Sequence, residues 1–307
     1  MLRFFFTRFS RTLLTLLGVV TLTFMLGRLT GDPVAMLLPQ TATVEDHARI
    51  RASLGLDQPW TTQYVIYLQG LAVGDLGRSI VFGRSAVDVV AERIPATLRL
   101  GIPALLLSVA VGLPLGILCA ARRDSLLDRV IMNLSLAGQS LPSFFIGILL
   151  ILFFGVRLGW LPTFGSDTAA HFVLPTLTLA IYPLAFIVRL TRSAFLEISS
   201  ESYIRTARAK GLAPSRVTYV HALRNALIPL VTVVGLQVAA ILSGSAIVET
   251  VFAWPGIGQL AVQSIGGRDY PVIQTIVLIS AAAFGLANMV VDLLYSMIDP
   301  RVRMEMR

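Results

Sequence analysis

Glu201-Ser202-Tyr203-Ile204-Arg205-Thr206-Ala207-Arg208-Ala209-Lys210-Gly211-Leu212 lies between two long apolar runs and holds the only lysine of the chain. An acidic residue opens the stretch, basic residues fill its later turns, and glycine closes it. That order suits a short helix, its dipole and a C-terminal cap. Pro214 then favours a second helical start, running through His221-Ala222-Leu223-Arg224-Asn225 towards Pro229. Read as charge alone, the segment is a basic amphipathic loop suited to anionic lipid. Its small residues Ala207, Ala209 and Gly211 admit another reading, a helix seated closely on a protein surface with Tyr203 and Ile204 as apolar contacts.

The runs on either side belong to a larger pattern. A membrane helix needs about 20 apolar residues to cross roughly 30 Å of hydrocarbon. Stretches 12–29, 98–121, 130–156, 172–190, 226–248 and 272–298 meet that requirement, which predicts an all-α integral membrane protein with six transmembrane helices. Composition agrees: of 307 residues, 55% are hydrophobic and 14% charged, too few charges for a soluble domain, where about 25% is usual. Pro142 is expected to kink the third run, because proline removes a helical hydrogen bond and clashes with the preceding turn.

Basic residues fix the orientation through the positive-inside rule. With a cytoplasmic N-terminus, Arg3, Arg8, Arg11, Arg122, Arg123 and Arg129 fall inside, as do the loop holding Lys210 and a tail with Arg301, Arg303 and Arg307. Stretch 30–97, placed outside, sets Arg49, Arg51, Arg78, Arg84 and Arg93 against Asp32, Glu45, Asp46, Asp57, Asp75, Asp88 and Glu92. The formal charge of +8 is therefore topology, with no nucleic-acid footprint. Both termini are expected in the cytoplasm. Within the external stretch, Thr43 and Asp46 read as a capping-box-like helix start and Gly55 as its stop. Tyr64, Leu68 and Leu71 recur at helical spacing, and Ser85 with Asp88 begins a short helix that ends near Pro95. Such a small region needs the membrane domain or a partner to pack against.

Chemistry is nearly absent. A phosphate-binding Gly-x-x-x-x-Gly-Lys-Ser/Thr loop needs a lysine in a context that Ala209-Lys210-Gly211 does not provide. Gly256-Ile257-Gly258-Gln259-Leu260-Ala261 matches a dinucleotide fingerprint formally, but without a βαβ setting it reads as a tight turn. Cys119 stands alone and His47, His171 and His221 are scattered, so the expectation is no catalytic, cofactor-binding or metal site. Ion coupling favours ionisable groups near the midplane; Asp292 is the only acidic residue in a predicted span and lies in its cytoplasmic third. Asn133, Gln139, Gln237, Ser243 and Asn288 are candidates for lining a pathway, or for tying helices together. On these residues alone, a gradient-driven transporter and a non-transporting scaffold stay open.

In motif order the chain resembles the permease subunits of type I ABC importers, in the dipeptide/oligopeptide/nickel branch. The resemblance rests on Tyr203-Ile204-Arg205-Thr206-Ala207-Arg208-Ala209-Lys210-Gly211-Leu212 followed by His221-Ala222-Leu223-Arg224-Asn225-Ala226-Leu227-Ile228-Pro229. Gly31-Asp32-Pro33, Gly55-Leu56-Asp57-Gln58-Pro59, Gly74-Asp75-Leu76-Gly77-Arg78-Ser79 and Arg93-Ile94-Pro95-Ala96-Thr97-Leu98 extend it. So do Val248-Glu249-Thr250-Val251-Phe252, Trp254-Pro255-Gly256-Ile257-Gly258 and Arg268-Asp269-Tyr270-Pro271. Where the name-giving EAA loop has Glu-Ala-Ala, this chain has Arg205-Thr206-Ala207, a mark of the peptide branch.

The resemblance implies the type I importer permease fold with a small external helical insertion after the first helix. It divides the chain into an N-terminal helix 1–29, an external region 30–93, a transmembrane domain 94–298 with coupling loop 199–225, and a tail 299–307. It implies a bacterial inner-membrane protein beside a second homologous permease, above two ABC ATPases that carry ATP and Mg, and below an extracytoplasmic substrate-binding protein. Glu201, Tyr203, Ile204, Arg205, Ala207, Arg208, Lys210, Gly211 and Leu212 then become the ATPase-coupling set. Asp57, Trp60, Asp75, Arg78, Glu249, Trp254 and Asp269 become external docking residues. No cofactor is expected in the chain itself. Peptides or related small solutes become the expected cargo.

Overall fold

The computed structural model describes residues 2–29, 43–53 and 55–298. Gly31-Asp32-Pro33 and the tail 299–307 lie outside the described residues, as do the side chains of Arg224, Ser243 and Asp292. Long apolar runs build long helices: α1 is Leu2–Leu29 and, after an intervening region of short helices, α5 is Ile94–Ala121. Helix α6 is Leu126–Ser140; α7 is Ser143–Leu150, extended by a wider π turn over Ile151–Arg157. Helix α8 is Val173–Ser199, α10 is Leu223–Val251 and α12 is Tyr270–Ile298. Among the described residues four helices are long and apolar enough to cross a membrane, and a fifth is counted if the bent α6–α7 pair is one span.

Small residues set the closest approach. A Cβ on Gly116 of α5 would lie 2.5 Å from Thr191 of α8, and one on Gly112 3.0 Å from Ile187. Without those side chains the two helices run in parallel, backbone near backbone. Helix α10 runs against both. Its start (Ala226, Leu230) packs with Ile187 and Phe195, and its end (Val248) with Leu100 and Leu174. Helix α12 runs against α1, with Gln274 near Gly27 and Gly285 near Thr12. The bundle thus has two distinct ends.

The third run is broken, a stronger effect than the expected kink. Leu141 (φ −82°, ψ 133°) and Pro142 (φ −59°, ψ 140°) are both extended, and α6 meets the following segment at 108°. Proline disfavours helical backbone in the residue before it. Two consecutive extended residues stop a helix, where a single missing hydrogen bond bends it. Pro103, Pro114 and Pro183, whose neighbours stay helical, sit inside α5 and α8 without ending them.

The described residues between α1 and α5 follow the sequence reading closely. Helix α2 is Val44–Ser53, and its capping box is made: Asp46 N–H donates to Thr43 Oγ1 at 3.2 Å and Thr43 N–H donates to Asp46 Oδ2 at 3.2 Å. The Thr43 hydroxyl, also donating to Asp46, holds that carboxyl below its ordinary value. Gly55 closes the turn at φ +65°. Helix α3, Trp60–Ala72, packs on α1 through Tyr64 and Tyr67, whose rings lie 5.2 and 5.7 Å from that of Phe24. Helix α4, Ala86–Ala91, buries Val89 and Val90 against Leu260 and Val272.

Candidate functional site

Helix α9, Ser202–Ala209, hangs from the end of the bundle where α8 finishes and α10 begins. Glu201 is its N-cap in extended backbone and Lys210 its C-cap. Gly211 follows at φ +75°, with its N–H donating to Arg208 O at 2.9 Å. Beta carbons favour negative φ, so glycine is the residue for this reversal. The space around Gly211 is open, and its role is the turn.

The helix has two faces. Ile204 (1% exposed) and Ala207 (7%) point into the chain, in one cluster with Ile187, Phe195, Val217 and Ala226. They anchor α9 to α8 and α10 and are not available to a partner, which corrects the expectation for both. Leu212 is partly buried against the same cluster. Glu201, Tyr203, Arg205, Arg208, Ala209, Lys210 and Gly211 are exposed. Arg205 donates to Ser200 O at 2.9 Å, and Tyr203 Oη accepts from Asn225 Nδ2 at 2.8 Å. The result is a rigid, basic knob on an apolar root.

Beneath it lies an ion pair that sequence reasoning missed. Arg192 of α8 donates to both carboxylate oxygens of Asp128 at 2.7 Å each. The Asp128 side chain is 2% exposed and also accepts from Asp124 N–H at 2.9 Å. A two-pronged guanidinium–carboxylate contact is geometrically stiff. It fixes the start of α6 to the last turns of α8, just ahead of α9. The only signal in the sequence was an acidic residue amid basic neighbours, and a partner 64 positions away left no trace there.

The residues expected along a pathway separate. Gln139 and Gln237 meet in a cleft of about 420 Å³ at the α6–α7 break, walled also by Thr178, Tyr182 and Pro183 of α8. Asn288 lines another hollow between α1 and α12, near Arg8 and Arg11. Asn133 is exposed on α6.

At the far end, three of the residues expected to dock a partner are interior. Glu249 is 0% exposed and Trp254 and Asp269 are buried. Helix α11, Ile257–Gly266, turns back so that its N-terminus meets Glu249, which accepts from Gln259 N–H at 3.0 Å and from Thr97 Oγ1 at 2.8 Å. Thr97 Oγ1 in turn accepts from Ile257 N–H at 2.8 Å. A helix N-terminus carries partial positive charge, which suits a carboxylate. A Cβ on Gly256 would lie 2.4 Å from that carboxylate, so glycine is required by proximity. Trp254 Nε1 donates to Ala96 O at 2.9 Å. Asp269 accepts from Ser79 Oγ and from Ile80 and Val81 N–H groups at 3.1 and 3.2 Å, clasping the loop before α4. Buried polar groups require such partners, and these carboxylates are therefore structural. Asp57, Trp60, Asp75 and Arg78 are exposed.

Comparison with known proteins bears on the whole chain. Residues 112–304 match the family of binding-protein-dependent transport system inner membrane components, and residues 1–101 match the N-terminal model of the same membrane components. The chain belongs to this family. It is 42% identical over 333 residues to the di/tripeptide transport system permease protein of Pseudomonas aeruginosa (strain UCBPP-PA14), covering 99% of each chain. It is 40% identical over 339 residues to the dipeptide permease of Escherichia coli (strain K12), again with 99% coverage of both. The glutathione transport system permease of Salmonella choleraesuis (strain SC-B67) is 43% identical over 304 residues, with 99% coverage of both. An inward-facing methionine ABC transporter structure matches 69% of this chain and 96% of its own with a TM-score of 0.60 at 22% identity, a likeness of fold.

As a binding-protein-dependent inner membrane component, the chain is a multi-pass permease subunit of an ABC importer and not an enzyme. The family setting gives the two ends of the bundle different meanings. One carries an exposed cationic helix on a rigid mount. The other carries a network of buried carboxylates that holds the permease's own loops.

Proposed function

We propose that this chain forms half of the translocation pathway of an ATP-driven importer for di- or oligopeptides or related small solutes. In this reading a second homologous permease supplies the other half, and an extracytoplasmic binding protein delivers cargo to the end bearing Asp57, Trp60, Asp75 and Arg78. Six membrane crossings with both termini in the cytoplasm accommodate the alternating directions of α1, α5, α6–α7, α8, α10 and α12. The names of the relatives, peptide and glutathione permeases, support small peptides as the cargo class.

The observation that carries the coupling role is the two-faced α9. Ile204 and Ala207 root it in the bundle while Tyr203, Arg208 and Lys210 stand exposed. Seated in a groove of a separate ATPase, a helix rooted in this way transmits displacement to α8 and α10 as a lever. ATP and Mg stay on that ATPase. Closure of two ATPases then shifts the permease between two discrete states, since packed interfaces switch and do not stretch continuously.

Gly211→Trp tests this reading in proteoliposomes holding the full importer. The position is open in this chain, so the variant bears roughly 1–2 kcal/mol of backbone strain and remains assembled. Its bulk obstructs the docking face: cargo uptake and binding-protein-stimulated ATP hydrolysis fall at least tenfold while binding-protein affinity is unchanged. Wild-type uptake in this variant counts against α9 as the coupling helix. Uptake that persists without the ATPases but needs an ion gradient counts against an ATP-driven importer.

A further inference from the structure

The cleft at the α6–α7 break has one buried polar group that packing does not explain. Its polar lining is Gln139, Ser140, Ser143, Thr178, Tyr182 and Gln237, and none of the described residues lining it is charged, the nearest charge being Arg189 bonded to Gln139. Several of these groups already have partners. Ser140 Oγ donates to Leu136 O at 2.9 Å, Thr178 Oγ1 to Leu174 O at 2.8 Å, and Gln139 accepts from Arg189. Gln237 differs. It is only 7% exposed, and its side-chain amide makes no hydrogen bond among the described residues. It also sits midway along α10.

A second feature of the wall points the same way. Pro183 brings no N–H to its helix, so the carbonyl of Leu179 lacks its ordinary donor, and Leu179 lines the same cleft. Interrupted backbone at membrane depth is tolerated where it lines a wet cavity or is covered by protein. An uncovered amide in such a place is available to whatever passes. About 420 Å³ is within the range of small-molecule sites.

We infer that Gln237 reads a peptide bond of the cargo in transit. A primary amide offers one carbonyl acceptor and two N–H donors, the complement of a peptide group's N–H and C=O. Gln237 Oε1 accepts the N–H of one cargo peptide bond; the C=O of a trans peptide points to the opposite side and is not within reach of the same side chain. The station therefore selects for the amide common to all peptides and not for a side chain. This inference rests on the peptide-importer reading above and adds to it a contact residue and the bond it contacts.

The experiment compares two cargoes, dialanine and its ester analogue alanyl-lactate, which lacks the amide N–H. Both are supplied at saturating binding protein to the complete importer in proteoliposomes, wild type or Gln237→Met. The binding protein's own preference is common to both importers and cancels in the ratio of ratios. Wild type takes up the amide at least fivefold faster, relative to the ester, than Gln237→Met does. Binding-protein-stimulated ATP hydrolysis stays within twofold, and size-exclusion chromatography confirms an assembled complex. A merely structural glutamine slows both cargoes equally, and that result overturns the inference, as does unchanged dialanine uptake. If Gln237→Met does not assemble, Gln237→Asn, which withdraws the amide by one methylene, replaces it: the same fivefold change in ratio supports the inference and an unchanged ratio overturns it. A wild-type importer that takes up neither cargo overturns the peptide reading and the inference with it; transport by both proteins with equal ratios overturns the inference alone.

Discussion

The two ends of this permease hold polar residues of similar kinds and treat them in opposite ways. At the end built on Thr97, Glu249 and Asp269, every oxygen of the Glu249 and Asp269 carboxylates is turned inward onto backbone N–H and hydroxyl donors. At the end built on α9, Arg208 and Lys210 face outward over a small apolar root. Charge satisfied internally stabilises the chain and is closed to partners. Charge left at the surface adds little stability and is open to them. Burial, more than residue type, separates architecture from interface in this molecule.

The sharpest way to break the contrast is at Glu249. Glu249→Leu removes the acceptor for Thr97 and Gln259 and leaves the N-terminus of α11 without its anion. Unpaired buried donors cost about 1–3 kcal/mol each, so a loss of roughly 3 kcal/mol is expected, read as a lower unfolding temperature in detergent. A variant as stable as wild type shows that this end is not held together by its carboxylates.

Ile204→Ala divides α9 itself. Truncating a buried isoleucine costs about 2–5 kcal/mol, and Ile204, 1% exposed, is such a residue. Limited proteolysis within 199–225 should quicken as the root loosens. On the opposite face, Arg208→Glu with Lys210→Glu should change stability by no more than about 0.5 kcal/mol, as exposed substitutions do. The same pair should nevertheless lower ATPase co-purification severalfold. Equal effects on stability from the two faces would erase the distinction.

Asp46 gives the smallest effect, at a carboxylate that is satisfied but exposed. Its hydrogen bonds from Thr43 lower its folded value below that of the unfolded chain. The added stability is thus present above the ordinary aspartate value, near pH 4, and is lost as pH falls through the lowered one. Amide exchange at the start of α2 should accelerate below about pH 4 while the Glu249 end stays protected. Simultaneous opening of both would mean that α2 has no independent cap.

Local chemistry made much of this legible in the sequence. Apolar runs located the long helices because hydropathy is a property of the segment itself. The turn and cap residues placed α2, α3 and α9 within a few positions, since Thr43, Gly55 and Gly211 act on their own backbone. Pro142 announced a disturbance, but its extent depended on Leu141 also becoming extended. Glu249, Trp254 and Asp269 were misplaced because turn-rich motifs between spans look alike whether they face water or fold back. The Asp128–Arg192 pair and the meeting of Gln139 with Gln237 were invisible for a related reason: both join residues that are distant along the chain.

By itself, then, the sequence determined that the chain is helical, lives in a membrane, contains no nucleotide loop and presents one short basic helix between two spans. Those features follow from composition and from interactions within a few residues. Tertiary structure alone decided which charges are interior, which face of α9 is free, and where the broken span opens a cleft that brings Gln139 and Gln237 together. Each of these depends on which distant surfaces exclude water from one another, and contacts between residues far apart in the chain leave no periodicity to read.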